Sequence, residues 1–353
     1  MNYQANEEDV RLLEEAYRGR RAFHGELHDH SNSGGTSDGH CTLDEWKVML
    51  AEKKMDFAAI LDHRQVRHMY LPEWDGTLFL CGSEPGTSIS DSRAPGPSLH
   101  YNMLVPGPAE LEAILAEFPE FEFTGGPEGH FRYPSFTTER FGELMDAVKA
   151  KGGLFVLPHP KQIMRSDDPA DFWFRDYTGI EAIYMALDSD ATAADSPLWF
   201  DLLRMGRRVW ACAGGDLHGQ ATDGALTTVY AEEKRNTALL SVLRTGDFTA
   251  GSAGVRMRMG DSLAGGHTDF AGKRLILSAG DFHGSVVKEG HAYRLDLLAG
   301  DEKVFSAPVD CGKPSYFALD ADPSVPFYRA EVWDETENLR LALGNPVWND
   351  GIR

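Results

Sequence analysis

Histidines and carboxylates recur in this sequence where a short apolar run ends and a loop begins. Ten of the 13 histidines precede residue 219. Nine candidate metal ligands follow one another along the chain: His28, His30, Asp38, His63, Glu84, His100, His159, Asp216 and His218. Imidazole and carboxylate donors without cysteine suit zinc, manganese or iron. The set therefore predicts the divalent metal centre of a hydrolase.

The order of these residues is more informative than any one of them. A single histidine at a strand end is more often a hydrogen-bonded structural residue than a ligand. Packing alone would favour valine, isoleucine or leucine there, because an unpaired buried polar group costs free energy. His28 and His30 alternate, as do Asp216 and His218, and alternate residues of a strand point to one side. Repetition over successive strand ends therefore favours a metal site.

Short apolar runs alternate with helical patterns over the first two-thirds of the chain. Strands are predicted at residues 21–28, 57–61, 77–82, 99–105, 152–158, 179–185 and 207–215. Helices are predicted at residues 7–18, 138–151, 195–205 and 235–246. Thr42 and Glu45 form a capping box for a further helix that runs to Lys54. The rhythm indicates an α/β fold with a mainly parallel sheet, and the number of strands favours a barrel whose site lies at the carboxyl ends of the strands.

The pattern changes near Gly254, where short alternating stretches replace the helical ones. Strands are predicted at residues 255–259, 273–279, 291–299, 303–309, 315–321 and 327–333. Glycine, proline, aspartate and asparagine turns separate them. We expect an antiparallel β-sandwich of ordinary domain size. The predicted domains are residues 1–252, which carry the hydrolase, and residues 253–353, which form the sandwich.

The motifs HDH, SDG, LDH, LHYN, LPHP and GGDLH, with a strand-end glutamate, resemble those of the PHP (polymerase and histidinol phosphatase) family over residues 20–250. The resemblance implies a distorted (β/α)7 barrel with two to three divalent ions. It implies that His28, His30 and Asp216 bind a first ion together with a bridging Glu84. The implied second group is Asp38, His63 and His218. The implied third group is His100 and His159, again with Glu84.

The C-terminal region resembles the β-sandwich of CehA/McbA-like hydrolases, a group named after a carbamate-ester hydrolase. This keeps carboxylic or carbamic ester and amide substrates open beside the leading hypothesis, a phosphoesterase that acts on a small phosphate ester through a metal-bridging hydroxide. A metal-loaded binding or sensing protein is the alternative from another class. An open set of three ligand groups argues against a purely structural metal site.

Two acidic residues and several basic ones have expected roles in this hypothesis. Glu84 fixes the spacing of the ions, and Asp216 binds metal and moves a proton. The residues expected to contact the substrate are Arg64, Arg93, Lys161 and Arg165, with Arg64 also placed at the reacting centre. Arginine suits bidentate contacts to phosphate. The alternative for each of these cations is a solvated charge on a surface loop.

Composition limits the partners of the chain. It has 34 Lys and Arg residues against 55 Asp and Glu residues, a formal net charge of −21. Such a chain repels nucleic acid and anionic membrane surfaces, whereas metal ions can invert the local potential for a small anionic substrate. The polar N-terminus does not read as a secretory signal, and the four cysteines have no CxxC spacing. We expect a cytoplasmic protein, and a homo-oligomer is compatible with this sequence.

Overall fold

The computed structural model of the chain describes residues 3–92, 99–121, 134–166, 168–220 and 222–352. Helices and strands are mixed throughout the first 250 residues. The described residues form seven α-helices: α1 (Glu7–Ala16), α2 (Leu43–Lys53), α3 (Pro108–Glu117), α4 (Thr138–Ala150), α5 (Pro160–Met164), α6 (Asp190–Arg204) and α7 (Asn236–Leu243). Short 3-10 helices lie at Arg67–Tyr70, Pro119–Phe121, Pro169–Asp171 and Gly284–Val286.

Thirteen strands of the described residues lie before Gly254. They are β1 (Arg21–Asp29), β2 (Phe57–Ile60), β3 (Phe79–Leu80), β4 (Gly82–Ser83), β5 (Gly86–Ile89), β6 (Leu99–His100), β7 (Asn102–Leu104), β8 (Ser135–Phe136), β9 (Leu154–Leu157), β10 (Gly179–Tyr184), β11 (Trp210–Gly214), β12 (Thr227–Ala231) and β13 (Phe248–Gly251). Each of the seven predicted apolar runs contains at least one of these strands. The α/β prediction for this region is therefore confirmed.

The pairing of these strands is less parallel than the sequence suggested. Parallel pairs join β1 to β2, β2 to β3, β9 to β10 and β10 to β11. Antiparallel pairs join β1 to β12, β12 to β13, β4 to β7 and β7 to β9. A parallel connection needs a crossover of a dozen or more residues, usually helical. The described residues hold no helix between β4 and β7, but α3 and α4 lie between β7 and β9, and α7 lies between β12 and β13. An intervening helix therefore does not by itself predict a parallel pair here.

Two sheets carry the strands that lead to the candidate ligands. One has the order β11-β10-β9-β7-β4, and the other contains the run β13-β12-β1-β2-β3. Backbone hydrogen bonds join them beyond the strand ends: Asp216 N donates to His28 O at 2.7 Å, and His30 N donates to Leu217 O at 2.9 Å. The carboxyl ends of β1 and β11 are thereby locked together. The distorted seven-stranded barrel stays a prediction.

The C-terminal region consists of strands among the described residues, apart from one 3-10 turn. The strands are β14 (Gly254–Met259), β15 (Ser262–Leu263), β16 (His267–Thr268), β17 (Arg274–Gly280), β18 (Tyr293–Ala299), β19 (Glu302–Val309), β20 (Ser315–Asp320), β21 (Phe327–Asp334), β22 (Leu339–Gly344) and β23 (Val347–Asn349). One antiparallel sheet has the order β15-β14-β17-β20, and it faces β18, β19, β21 and β22 across a shared apolar core. The six predicted strands are present. The likeness to CehA/McbA-like sandwiches stays a prediction.

The two regions are continuous in hydrogen bonding and in packing. β13 pairs with β22, so one sheet of eleven strands passes through both regions. Helix α1, at the start of the chain, packs against both regions, because Leu13 and Tyr17 share a cluster with Tyr230 of β12 and with Ile276 and Ala318 of the C-terminal region. The predicted boundary at residue 252 thus falls inside a continuous sheet, and the division into two domains stays a prediction.

Two further properties bear on the expectations from composition. No helix among the described residues is long and apolar enough to cross a membrane. All four cysteines are free thiols, and Cys81 and Cys212 are buried.

Candidate metal centre

The candidate ligands meet in one cavity of about 320 Å³. It lies beyond the carboxyl ends of β1, β2, β4, β9 and β11, from which most of the ligands project. The lining residues are Asp38, His63, Glu84, His100, His159, Gln162, Ile163, Arg165, Tyr184, Asp216 and His218. His28 and His30 do not line the cavity and are fully buried. All nine candidate ligands lie in or directly beneath this cavity, although they come from positions 28 to 218 of the chain.

The first group consists of His28, His30, Glu84 and Asp216. Glu84 Oε2 lies 3.2 Å from His28 Nε2 and 3.2 Å from His30 Nε2. Asp216 Oδ1 lies 3.4 Å and 3.1 Å from the same two nitrogens. One atom from each residue lies within 4.8 Å of all the others, which is close enough for them to surround one ion.

Unpaired buried atoms in this group test whether its residues fit a cation. His28 Nε2 and Glu84 Oε2 are buried and find no hydrogen-bond partner among the described residues. A buried polar atom without a partner costs about 1–3 kcal/mol, and that cost disappears when a metal ion accepts its lone pair. These two atoms and the donor set fit a divalent ion.

The second group places Asp38 between two histidines. Asp38 Oδ1 lies 3.2 Å from His218 Nε2, and Asp38 Oδ2 lies 3.5 Å from His63 Nε2. The Nδ1 atoms face backbone carbonyls instead: His63 faces Glu84 O at 3.0 Å, and His218 faces Asp216 O at 2.9 Å. A proton on Nδ1 satisfies each carbonyl and leaves Nε2 unprotonated for a metal. His30 also lies within reach of this group.

The third group is built on the other oxygen of Glu84. Glu84 Oε1 lies 3.0 Å from His100 Nδ1 and 3.7 Å from His159 Nε2. His159 Nε2 is also 3.8 Å from Asp216 Oδ2. The tightest set of atoms here is His63, Glu84 and His100. His159, which the sequence expected as a ligand of this group, lies farther out.

The two central carboxylates are held ionised by the histidines around them. Burial opposes ionisation of Glu84, but His28, His100 and His159 hold its pKa well below the ordinary value. Burial likewise opposes ionisation of Asp216, while His28 and His30 lower the pKa of Asp216. Conversely, burial disfavours protonation of His30, but Asp216 and Glu84 raise its pKa to about 9. The carboxylates thus attract positive charge to this point, and a divalent ion can replace the protons.

Two buried carboxylates support the ligands from behind. Glu181, on β10, accepts from His28 Nδ1 at 2.8 Å and from His159 N at 2.7 Å. Such a partner fixes the tautomer and the orientation of a metal-binding imidazole. Asp62 accepts from Ser31 N at 2.7 Å and therefore braces the loop after His30. A contact between residues 28 and 181 has no local signal in the sequence.

Asp29 lies beside the ligands in sequence, but its carboxylate does not support a ligand in this way. Its carboxylate is fully buried and has no hydrogen-bond partner among the described residues. Burial raises the pKa of Asp29 to about 8.

The predicted substrate-binding cations lie in different places. Arg165 lines the cavity, and it also lines a neighbouring groove together with Lys161. Arg64 follows His63 but is not among the described residues that line the cavity. Arg93 lies outside the described residues.

Three lining residues were not singled out by the sequence: Gln162, Ile163 and Tyr184. Gln162 and Ile163 lie two and three residues after the LPHP motif. Tyr184 is the last residue of the apolar strand β10. Its position at a strand end was the available signal, but tyrosine is not among the usual metal-binding residue types.

A fourth group of metal-ligand residue types lies in the sandwich, and its acidic side chains already have protein partners. His291, Asp334 and Glu337 approach one another there. Asp334 accepts from His291 Nδ1 at 2.7 Å and from the backbone of Glu337, whose carboxylate pairs with Lys288 Nζ at 2.6 Å. These contacts satisfy the acidic groups within the turn itself. We therefore read this group as a structural network of the β21–β22 turn.

No family model matches this chain, and no curated protein matches it either. Solved structures, in contrast, do match this chain. A two-domain protein of Bacteroides vulgatus that contains a predicted PHP-like metal-dependent phosphoesterase is 12% identical, covers 92% of this chain and 95% of its own, and has a TM-score of 0.42. An inferred metal-dependent phosphoesterase of Bifidobacterium adolescentis is 16% identical over 57% of this chain and 89% of its own, with a TM-score of 0.38. An amidohydrolase of Chromobacterium violaceum with bound sulfate and no metal is 17% identical over 57% of this chain and 89% of its own, with a TM-score of 0.37. At these sequence identities and TM-scores the likeness is remote. The functional assignment therefore rests on the site itself.

Proposed function

We propose that this chain is a metal-dependent hydrolase of PHP type that cleaves a small phosphate ester. The observation that carries the proposal is the position of Glu84. Its Oε2 faces His28 and His30, while its Oε1 faces His100. A carboxylate shared between ligand groups in this way sets the distance between neighbouring ions in two-metal hydrolases.

The residues that would hold the ions are the nine candidate ligands, and the ions would be two to three in number, zinc, manganese or iron. When bound, such ions supply Lewis-acid chemistry and lower the pKa of water. The chain's own residues bind and orient them. Glu181 holds the ring of His28, and the backbone carbonyls of Glu84 and Asp216 hold the rings of His63 and His218.

The substrate in this proposal is small and anionic. A cavity of about 320 Å³ is near the lower limit of small-molecule sites. Arg165 lies on its wall, where a guanidinium can pair with two oxygens of a phosphate. Arg64, Arg93 and Lys161 remain proposed further contacts, and Asp216 is the proposed carrier of a proton.

One observation favours the second candidate, a carboxylic or carbamic ester or amide hydrolase. Arg165 is the sole lysine or arginine that lines the cavity among the described residues. A phosphate dianion would usually meet more than one basic side chain besides the metal ions, whereas an ester carbonyl needs none. The same metal groups would serve both reactions.

Reconstituted protein and a substrate panel test the proposal. Protein loaded with Mn²⁺ or Zn²⁺ is assayed on phosphate, carboxylate and carbamate esters, after the bound metal has been counted. We expect two to three ions per chain and the highest kcat/KM on a phosphate ester. Preference for a carboxylate or carbamate ester would move the assignment to the second candidate. Metal binding without turnover of any ester would favour a binding or sensing protein.

A ligand substitution tests the second metal group. His63→Ala is expected to remove one ion per chain and to abolish turnover, while His267→Ala serves as the matched control. His267 lies in the sandwich, where its ring is half exposed and pairs with Asp350. Unchanged metal content and activity in His63→Ala would show that His63 is not a ligand.

A further inference from the structure

Tyr184 makes a contact that the metal ligands alone do not explain. It is the last residue of β10 and is 8% exposed, and its ring lies on the wall of the cavity. Its hydroxyl donates to Asp216 Oδ2 at 2.8 Å. Its ring centroid is 5.0 Å from that of His159. The hydroxyl thus lies among the ligand groups but belongs to a residue type outside the usual donors for zinc or manganese.

The two carboxylate oxygens of Asp216 have different partners. Oδ1 faces His30 Nε2 at 3.1 Å and His28 Nε2 at 3.4 Å. Oδ2 accepts from Tyr184. A carboxylate without this partner can rotate about its side-chain bonds and offer either oxygen, or both, to an ion. The hydroxyl holds Oδ1 toward the histidines.

The backbone of Tyr184 is itself held by side chains from the start of α6. Tyr184 N donates to Thr192 Oγ1 at 2.9 Å, and Tyr184 O accepts from Ser189 Oγ at 2.6 Å and from Thr192 Oγ1 at 3.1 Å. Ser189 is the N-cap of α6, so the first turn of a fifteen-residue helix determines where the tyrosine stands. Asp216 is fixed from its own side by the bond from its N to His28 O.

Packing alone does not require this hydroxyl to have a partner. Tyr101 is fully buried in the same half of the molecule, stacks on Phe155, and its hydroxyl has no hydrogen-bond partner among the described residues. This fold therefore tolerates a buried tyrosine whose hydroxyl does nothing. The hydroxyl of Tyr184 differs because it ends on a candidate metal ligand.

We infer that Tyr184 is a positioning residue that fixes Asp216 with one oxygen toward the first metal ion. The inference rests on the proposed function, because it takes Asp216 as a ligand. Partners that orient a metal ligand typically contribute 10–100-fold to metal affinity. Loss of the hydroxyl should therefore weaken metal binding without removing a ligand.

Metal affinity of Tyr184→Phe tests the inference, with Tyr101→Phe as the matched control. Affinity for Zn²⁺ and Mn²⁺ is measured on metal-free protein by competition with a chromophoric chelator, and the coordination of bound Co²⁺ is followed by its visible absorption spectrum. We expect the tightest ion to bind about 10–100-fold more weakly in Tyr184→Phe, with an altered Co²⁺ spectrum. Tyr101→Phe should match the wild type, and circular dichroism checks that both variants fold.

The outcomes separate the inference from the proposed function. Affinity within twofold of the wild type, with an unchanged Co²⁺ spectrum, would overturn the positioning role. Weakened metal affinity in Tyr184→Phe, found together with a wild type that hydrolyses no ester, would support the positioning role and refute the hydrolase. For a positioning role, activity lost at limiting metal returns as metal is added. A loss that persists at saturating metal would refute it.

Discussion

Four residues around the metal centre hold backbone conformations that L-residues rarely adopt. His159 has a φ of 27°, Arg165 of 51°, and Arg64 and Asp216 of 52°. Such conformations cost about 1–3 kcal/mol each and persist only where the surroundings enforce them. For Asp216 the enforcing contacts are the backbone bond to His28 and the hydroxyl of Tyr184. His159 and Asp216 each follow the end of a strand by two residues, where the chain turns toward the cavity.

A histidine outside the metal centre should make the stability of the protein depend on pH. His24 lies on β1, beside His283 of the sandwich at 5.5 Å between ring centroids. Burial, and then the neighbouring His283, lower the pKa of His24 to about 4, although Asp56 and Asp281 act in the opposite direction. The unfolded chain takes up this proton below its ordinary pKa of 6.5, whereas the folded chain does so only near 4. Stability is therefore lost as the pH falls through this window.

The substitution His24→Gln removes this dependence. The wild type should lose about 3 kcal/mol more unfolding free energy than the variant between pH 6.5 and pH 4, because each unit of pKa shift corresponds to about 1.4 kcal/mol. Urea denaturation of both proteins across that range measures the difference. Parallel pH profiles for the two proteins would show that His24 titrates normally in the folded state.

At the scale of elements, α2 shows how local sequence supports the site. Its N-cap Thr42 accepts from Glu45 N, and Thr42 N donates to Glu45 Oε2 at 2.8 Å, as the capping box predicted. One turn later, the fully buried Trp46 donates from Nε1 to His30 O at 3.0 Å. The cap thus determines where the helix begins, and the helix holds the backbone of a candidate ligand.

Removal of this N-cap should lower the unfolding free energy by the amount typical of helix N-caps. Thr42→Ala is expected to lower the unfolding free energy by about 1 kcal/mol, because the backbone N–H of Glu45 loses its acceptor, Thr42 Oγ1. Glu52→Ala, at an exposed position of the same helix, should change it by less than about 0.5 kcal/mol. Chemical denaturation provides both values. Equal effects of the two substitutions would mean that the capping box contributes nothing.

At the scale of the whole molecule, the two regions depend on each other. One sheet runs from β3 through β1 and β13 to β22, and α1 packs on the far region. We therefore expect a single cooperative unfolding transition, seen alike by calorimetry and by tryptophan fluorescence. Two separated transitions would show that the shared sheet does not couple the regions.

A core substitution in α1 tests the same coupling. Leu13 is fully buried against Tyr230, Ile276 and Ala318, so Leu13→Ala should cost about 2–5 kcal/mol in global stability. Metal affinity should stay within twofold of the wild type, because α1 does not reach the centre. Leu12→Ala, half-buried on the same helix, is the control and should cost less. Loss of metal binding in Leu13→Ala would reveal a longer-range connection.

The amino-acid sequence determined what depends on local spacing. The nine donors and their order are visible without a structure, as are the capped helix α2 and the change near Gly254 from helical to alternating patterns. Strands lie on the apolar runs, although often with narrower bounds, because a buried strand must be apolar over its own length. The antiparallel pairings were not visible, since contacts between distant parts of the chain decide which strands become neighbours.

Tertiary structure decided what depends on contacts between distant residues. Glu181 reaches His28 across 153 positions, and Tyr184 reaches Asp216 across 32. Neither pairing leaves a mark on the sequence near either residue. The placement of Arg165 on the cavity wall, with Arg64 outside the lining, likewise follows from how the loops turn. Residue types and their order thus indicate which chemistry is available, while packing of the strand ends decides which atoms meet, because only folding sets distances between residues so far apart in the chain.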